Sequence, residues 1–289
     1  MPENIEFISE GCKIRGHLYL PALSGGAPAP AIVVCHGFAG VKELLLPRFA
    51  EGFAAAGFVA LTFDYRGFGA SEGHGARIVP GEQVADIRNA LAFLATRPEV
   101  NPARLGVWGT SYGGANAIAA AACDPRIKAL AVQITFADGM QAVLGSMNAA
   151  EQAKFLETLE KIWARTVTTG KEMMIPLCKM LADPQSKAFY AKYRESCPAL
   201  EVKLSFLTVK ETLSQRAILL APHVKIPAHF TLAGQDLVNP PENMRALFAA
   251  YGGTKELLEV PAAGHYDIYE EPFVADILAA QAGWFTKWL

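Results

Sequence analysis

Five short runs of this chain are apolar almost without interruption, and they constrain its fold more than any other feature. AIVVCHG (31–37), FVALTFDYR (58–66), RLGVWGT (104–110), IKALAVQIT (127–135) and IPAHFTLAGQD (226–236) lack the polar alternation of a half-exposed strand. Each therefore asks to be covered on both faces, as the strands of a parallel sheet are. Between them lie stretches with helical spacing. Leu46, Phe49 and Phe53 recur before Gly57, and Val84, Ile87, Leu91 and Leu94 recur before Pro98, with glycine and proline standing where helices stop. Residues 115–122, 244–251 and 273–289 supply three more. Strand alternating with helix predicts an α/β chain, a mostly parallel sheet with helices on both faces. Ahead of the first run, NIEFISEGCKIRGHLYLP alternates around a glycine and predicts an antiparallel hairpin with one exposed face. ALSGGAPAP (22–30) follows it as a linker.

The alternation lapses from 139 to 222. Phe155, Leu156, Leu159, Ile162 and Trp163 mark an amphipathic helix there, 173–181 and 189–193 suggest others, and no strand is evident. A helical insertion accounts for such a stretch better than a structureless loop, which compact domains seldom contain. The expected organisation is a core domain of residues 1–138 and 223–289 with a helical cap of residues 139–222. The Met and aromatic residues of the insertion read first as its own core. Their second reading is a pocket lining, with Met147, Phe155, Trp163, Met173 and Met174 as candidates.

A chain of 289 residues, 52% hydrophobic and 19% charged, can close a core of this size. Its formal net charge of −2 supplies no broad attraction for nucleic acid or an anionic membrane. No run reaches the length of a membrane span, and no basic-then-apolar leader is recognisable. A soluble, cytoplasmic protein acting on a small molecule is the expectation, with a homodimer left open. Five cysteines form no CxxC or CxxH unit, so neither a zinc site nor a disulfide framework is indicated, and no metal is expected.

GVWGTSYGGA (106–115) places Ser111 at the junction of the third apolar run and an alanine-rich helix. A nucleophile on such a strand-to-helix elbow holds a strained backbone and needs small residues two positions away, and Gly109 and Gly113 occupy those positions. The helix that follows would turn its N-terminus and free N–H groups toward developing negative charge. A serine hydroxyl needs a base and an acid that orients the base. Of the six histidines, His265 alone stands just past a strand-like run (ELLEV) at the sheet edge where the elbow opens. His17, His74, His223 and His229 read as structural, and His36 as a brace for its own loop. Asp236 ends the fifth apolar run, giving the chain order Ser111, Asp236, His265 with each residue after a different strand. Asp138, which also follows a strand, is the second candidate acid. The Phe38 N–H, after the turn at Gly37, and the Tyr112 N–H, just past the serine, are the candidate oxyanion donors.

HGF at 36–38, GTSYGG at 109–114, GQD at 234–236 and GH at 264–265 occur in the order and spacing of the α/β-hydrolase superfamily, which the chain resembles over nearly its whole length. HGFAGVKE and DYRGFGASEG are similar to the branch with dienelactone-hydrolase-like proteins and the catalytic domains of X-Pro dipeptidyl-peptidase and cocaine-esterase-like enzymes. The resemblance implies that superfamily's strand order, a helical cap and hydrolysis without a cofactor. Dienelactone hydrolases carry cysteine where this chain has Ser111, and the larger peptidases carry domains absent here, so neither activity transfers. Dehalogenation and epoxide opening on this fold would call for an aspartate at position 111.

The expected chemistry is cleavage of an ester, thioester, lactone or amide by a Ser111 acyl-enzyme. Acyl transfer, C–C bond hydrolysis and a non-catalytic ligand receptor are the alternatives. A nucleotide site is disfavoured, because Glu72 stands where GxGxxG needs its third glycine and no GxxxxGK[ST] exists. The HGF turn, with its bulky third residue, predicts a modest acyl group. Tyr65 and Arg66 end a strand at the same edge, so Arg66 could hold a substrate carboxylate or brace the loop by a salt bridge.

Overall fold

The computed structural model describes residues 1–22 and 27–289, so the 22–30 linker falls partly outside them. The strands are β1 (Glu3–Ser9), β2 (Cys12–Tyr19), β3 (Ala29–Cys35), β4 (Val59–Phe63), β5 (Val100–Thr110), β6 (Ile127–Gln133), β7 (Met174–Pro176), β8 (Lys203–Ser205), β9 (Ala228–Ala233) and β10 (Lys255–Val260). The helices are α1 (Leu46–Ala55), α2 (Pro80–Leu94), α3 (Tyr112–Cys123), α4 (Gly139–Leu144), α5 (Ala149–Thr169), α6 (Leu177–Met180), α7 (Pro184–Tyr193), α8 (Thr208–Ser214), α9 (Ala217–Leu220), α10 (Pro241–Ala250) and α11 (Val274–Trp288).

Eight strands form the main sheet in the order β1-β2-β4-β3-β5-β6-β9-β10. β2 runs antiparallel to β1 and β4, and every other pair is parallel. The opening segment is thus the expected hairpin, with burial alternating along β1, whereas β4 and β9 are buried at every position. Strand periodicity divides β3 between two cores. Ile32 and Val34 pack with Phe49 and Phe53 of α1, Trp108 and Phe285 of α11. Val33 points the other way, into the layer of Ile87 and Leu91 from α2 and Ile118 from α3.

Polar groups within the first layer are matched to one another, as burial demands. Trp108 Nε1 donates to Gln281 Oε1 at 2.7 Å, and Gln281 Nε2 donates to Gln133 Oε1 and Thr231 Oγ1 at 2.9 and 3.0 Å. One α11 side chain thereby ties together β5, β6 and β9, the central strands beneath Ser111.

Between β6 and β9 the chain is largely helical, with one departure from expectation. β7 and β8 pair antiparallel through Met174–Ser205, Ile175–Leu204 and Pro176–Lys203. Three residues per strand are too few to display alternation in sequence. Among the described residues, no helix is long and apolar enough to cross a membrane.

Candidate active site

Ser111 follows β5 with φ 52° and ψ −122°, a region of backbone space costing on the order of 1–3 kcal/mol. The turn is pinned by Ser111 N–H donating to Gln133 O at 2.9 Å and Gly114 N–H donating to Ser111 O at 2.9 Å. Neighbouring chains approach too closely for any side chain. A Cβ on Gly109 would lie 2.4 Å from the Gly113 carbonyl oxygen, and one on Gly113 would lie 2.4 Å from that of His36. The small residues flanking Ser111 are therefore required by two close backbone approaches.

Asp236 leaves β9 and His265 leaves β10, both almost wholly buried at 3% and 2% exposure. Asp236 Oδ1 accepts the Val238 and Asn239 N–H groups, each at 2.8 Å, and its Oδ2 lies 2.7 Å from His265 Nδ1. Asn239 Nδ2 donates to Ile134 O at 2.7 Å, anchoring the acid loop to the end of β6. His265 Nε2 stands 3.2 Å from Ser111 Oγ. The three residues form one hydrogen-bonded line, with Nδ1–H donating to the carboxylate and Nε2 free to accept from the serine.

The turn after β3 packs against Ser111, since a Cβ on Gly37 would come within 3.2 Å of its Cβ. Its Phe38 N–H has no hydrogen-bond partner among the described residues. Tyr112 opens α3, where first-turn N–H groups have no partner within the helix. His36 Nδ1 donates to Gly37 O at 3.0 Å, and its ring meets Tyr65 edge-on at 4.6 Å. Burial pushes the His36 imidazole below its ordinary range, keeping it neutral, and pushes the neighbouring Cys35 thiol up to about 12.

Sequence reasoning missed what holds this turn. Lys42 is buried, and Asp64 receives its backbone N–H and its Nζ at 2.7 Å each, together with the Ala70 N–H at 2.9 Å. The pair joins the loop carrying Phe38 to the loop after β4. The signal lay in HGFAGVKE and DYRGFGASEG, each of which carries one buried charge. Gln185 of α7 was missed as well, although its Oε1 accepts the His265 and Leu237 N–H groups at 3.2 and 3.1 Å.

Above Ser111 lies a cavity of about 760 Å³, within the range of small-molecule sites. Its floor is Ser111, His265, Phe38 and Tyr112, and Met147 and Phe155 join its walls from the insertion. The remaining candidates stand elsewhere. Trp163 is 45% exposed under Lys210, and Met173 and Met174 are exposed outside the lining. A helical stripe identifies an apolar face without saying what it meets, which accounts for Trp163, whereas Met173 and Met174 stand at and in β7 and on no helix. Tyr65 is buried beneath His36, and Arg66 is engaged by Asp86, Glu10 and Ser9. Arg66 therefore takes the loop-bracing alternative and is not available to a substrate carboxylate. Asp138, the second candidate acid, caps α4 through the Met140 N–H at 2.8 Å and pairs with Arg216. His229 is enclosed in β9, with Nδ1 3.4 Å from Thr231 Oγ1.

A parallel sheet with an antiparallel second strand, a strained serine elbow and a cleft at the strand ends define an α/β hydrolase. The chain belongs to the family described as serine aminopeptidase, S33, whose model matches residues 26–272. It is 44% identical over 266 residues to an Escherichia coli relative named "Uncharacterized 31.7 kDa protein in traX-finO intergenic region", covering 92% of this chain and 93% of that one. It is 28% identical over 313 residues to thiohydrolase aneE of Aspergillus aculeatus, covering 96% and 94%. The structure of DcsB in complex with its substrate analogue matches with a TM-score of 0.88 at 24% identity over the whole of both chains, a likeness of fold. The protein is accordingly an enzyme of the α/β-hydrolase class.

Proposed function

We propose that this enzyme hydrolyses esters or thioesters of apolar acyl groups through an acyl-enzyme on Ser111. The observation that carries the reading is the hydrogen-bonded line Asp236–His265–Ser111 on the floor of an apolar cavity. Ser111 Oγ attacks the carbonyl carbon while His265 Nε2 takes its proton. Asp236 holds the tautomer through Nδ1–H and offsets the imidazolium charge. The Phe38 and Tyr112 N–H groups receive the oxyanion, a donor of this kind contributing about 100- to 1000-fold in rate. His265 then protonates the departing oxygen or sulfur, and water, deprotonated by the same imidazole, releases the acid.

Residues 139–222 act as the cap in this reading. The cap enlarges the cavity beyond the modest acyl group that the HGF turn alone implies, and its apolar walls favour a hydrocarbon acyl chain. The name of the thiohydrolase relative supports a thioester among the substrates. The test has two arms. Mass spectrometry after fluorophosphonate treatment should find the adduct on Ser111, and an unmodified Ser111 in folded enzyme overturns the mechanism. A series of p-nitrophenyl esters and acyl thioesters should give kcat/KM rising from acetyl to octanoyl, and a maximum at acetyl overturns the assignment of an apolar acyl site.

A further inference from the structure

We propose that Gln185, a residue of the cap helix α7, is a positioning residue that fixes the spacing between the acid and the base. This inference rests on the Ser111–His265–Asp236 mechanism proposed above.

One side-chain amide reaches three backbone groups. Its Oε1 accepts from Leu237 N–H at 3.1 Å and from His265 N–H at 3.2 Å, while its Nε2 donates to Gln235 O at 2.9 Å. Gln235 and Leu237 flank Asp236, so the amide grips the acid loop on both sides and the base at its own backbone. Glycine at 264 leaves room for this approach, since a Cβ there would lie 2.5 Å from Gln185 Nε2. Among the described residues Gln185 is the one side chain from outside the two loops that hydrogen-bonds to both, beside the direct bonds of Asp236 to His265 and of Gln235 Nε2 to Pro261 O at 2.7 and 3.2 Å. Beyond the sheet edge the two loops are tied at their bases by Gly234 N–H donating to Val260 O at 2.9 Å and Gln235 N–H donating to Ala263 O at 2.8 Å. Gln185 adds the tie at His265 itself, where a shift of a few tenths of an ångström changes how Nε2 meets the serine.

The rest of α7 is fastened to the same segment. Ser186 Oγ and Tyr266 OH are 3.0 Å apart, and the Phe189 ring stacks on Tyr266 at 4.2 Å and 12°. Tyr193 OH donates to Glu270 at 2.8 Å, and Lys192 pairs with the same carboxylate. The helix is seated along residues 266–270, which brings Gln185 to the triad with its backbone already placed. Cap and catalytic line are therefore one mechanical unit on this side of the cavity.

The test uses the full-length enzyme with Gln185→Met, which keeps the side-chain length and removes the three hydrogen bonds, and Gln185→Glu, which keeps the two acceptor bonds. Steady-state kinetics on one p-nitrophenyl ester and the rate of fluorophosphonate inactivation are measured for each, with Lys192→Ala as a control on helix docking. Gln185→Met should lower kcat and the inactivation rate at least tenfold with KM changed less than threefold, Gln185→Glu should recover most of that loss, and Lys192→Ala should stay within twofold of the parent. A Gln185→Met enzyme with unchanged kcat, a loss confined to KM, no recovery in Gln185→Glu, or an equal loss in Lys192→Ala overturns the proposal. Failure of the underlying mechanism is separate, because the parent enzyme itself would then not react with fluorophosphonate at Ser111.

Discussion

Ser111 stands where two stretches of backbone pass closer than a methyl group allows. In Gly113→Ala, the new carbon would sit 2.4 and 2.6 Å from the His36 and Cys35 carbonyl oxygens, so the turn carrying Phe38 must give way. Stability should fall by about 1–3 kcal/mol and kcat by at least tenfold, read by thermal unfolding and ester kinetics on the same preparation. At the acid, Asp236→Asn presents an amide to His265 Nδ1 and favours the wrong tautomer. Its kcat should drop about 10⁴-fold with the fold intact, and circular dichroism alongside turnover separates this from unfolding. The meeting of Ser111, Asp236 and His265 could be read from sequence because each ends or follows an apolar run whose direction was already determined. Gln185 could not, because its partners are backbone groups, which leave no mark on residue type.

At the scale of elements, α5 and α7 are attached to the rest of the molecule in different ways. α7 is fastened to residues 266–270, whereas α5 buries only Leu159 and leans on the remainder through half-buried residues such as Phe155. It is self-sufficient as a helix. Asn148 and Glu151 form a reciprocal capping box, and Gly170 closes the C-terminus at φ 69°, features worth about 1 kcal/mol at the N-terminus alone. Phe155 enters the cavity wall opposite a fixed floor, so Phe155→Trp should shorten the acyl chain preferred by the enzyme without changing the rate of fluorophosphonate labelling. A chain-length series of p-nitrophenyl esters reads this directly. The amphipathic pattern of α5 was visible in sequence. Which of Phe155 and Trp163 meets the cavity was not, because the stripe is wider than the surface it covers and Trp163 turns out toward Lys210.

Across the whole molecule the sheet was the most legible part, since strands buried on both faces must be apolar at successive positions. The buried polar contacts were the least legible. Lys42–Asp64 and the Gln281 cluster join residues 22 to 173 positions apart, and no local pattern announces such pairs. His229 gives the molecule a pH dependence of stability. Burial in β9 lowers its imidazole from 6.5 to about 4, so below pH 6.5 the unfolded chain takes up a proton that the folded chain refuses. Stability is intact with respect to this group above about pH 6.5, falls as pH descends from there toward about 4, by roughly 3 kcal/mol, and levels off below. Denaturant unfolding from pH 7 to pH 4 should show a steeper loss in the parent than in His229→Gln.

The route by which the chain passes from β6 to β9 has a consequence of another kind. β6 and β9 are direct parallel neighbours, paired from Leu130–Ala228 to Gln133–Thr231, so the chain leaves the C-terminal end of β6 and must cross to the N-terminal end of β9. The ends of the stretch 139–215 are held side by side by the backbone itself, Gly139 N–H donating to Gln215 O and Ile218 N–H donating to Ala137 O, each at 2.8 Å. Such a segment can be exchanged as a cassette: a donor segment of different length, grafted between residues 139 and 215, would meet an unaltered serine elbow while bringing its own walls. On the proposal that Gln185 positions His265 and Asp236, such a graft must also carry an amide at that position.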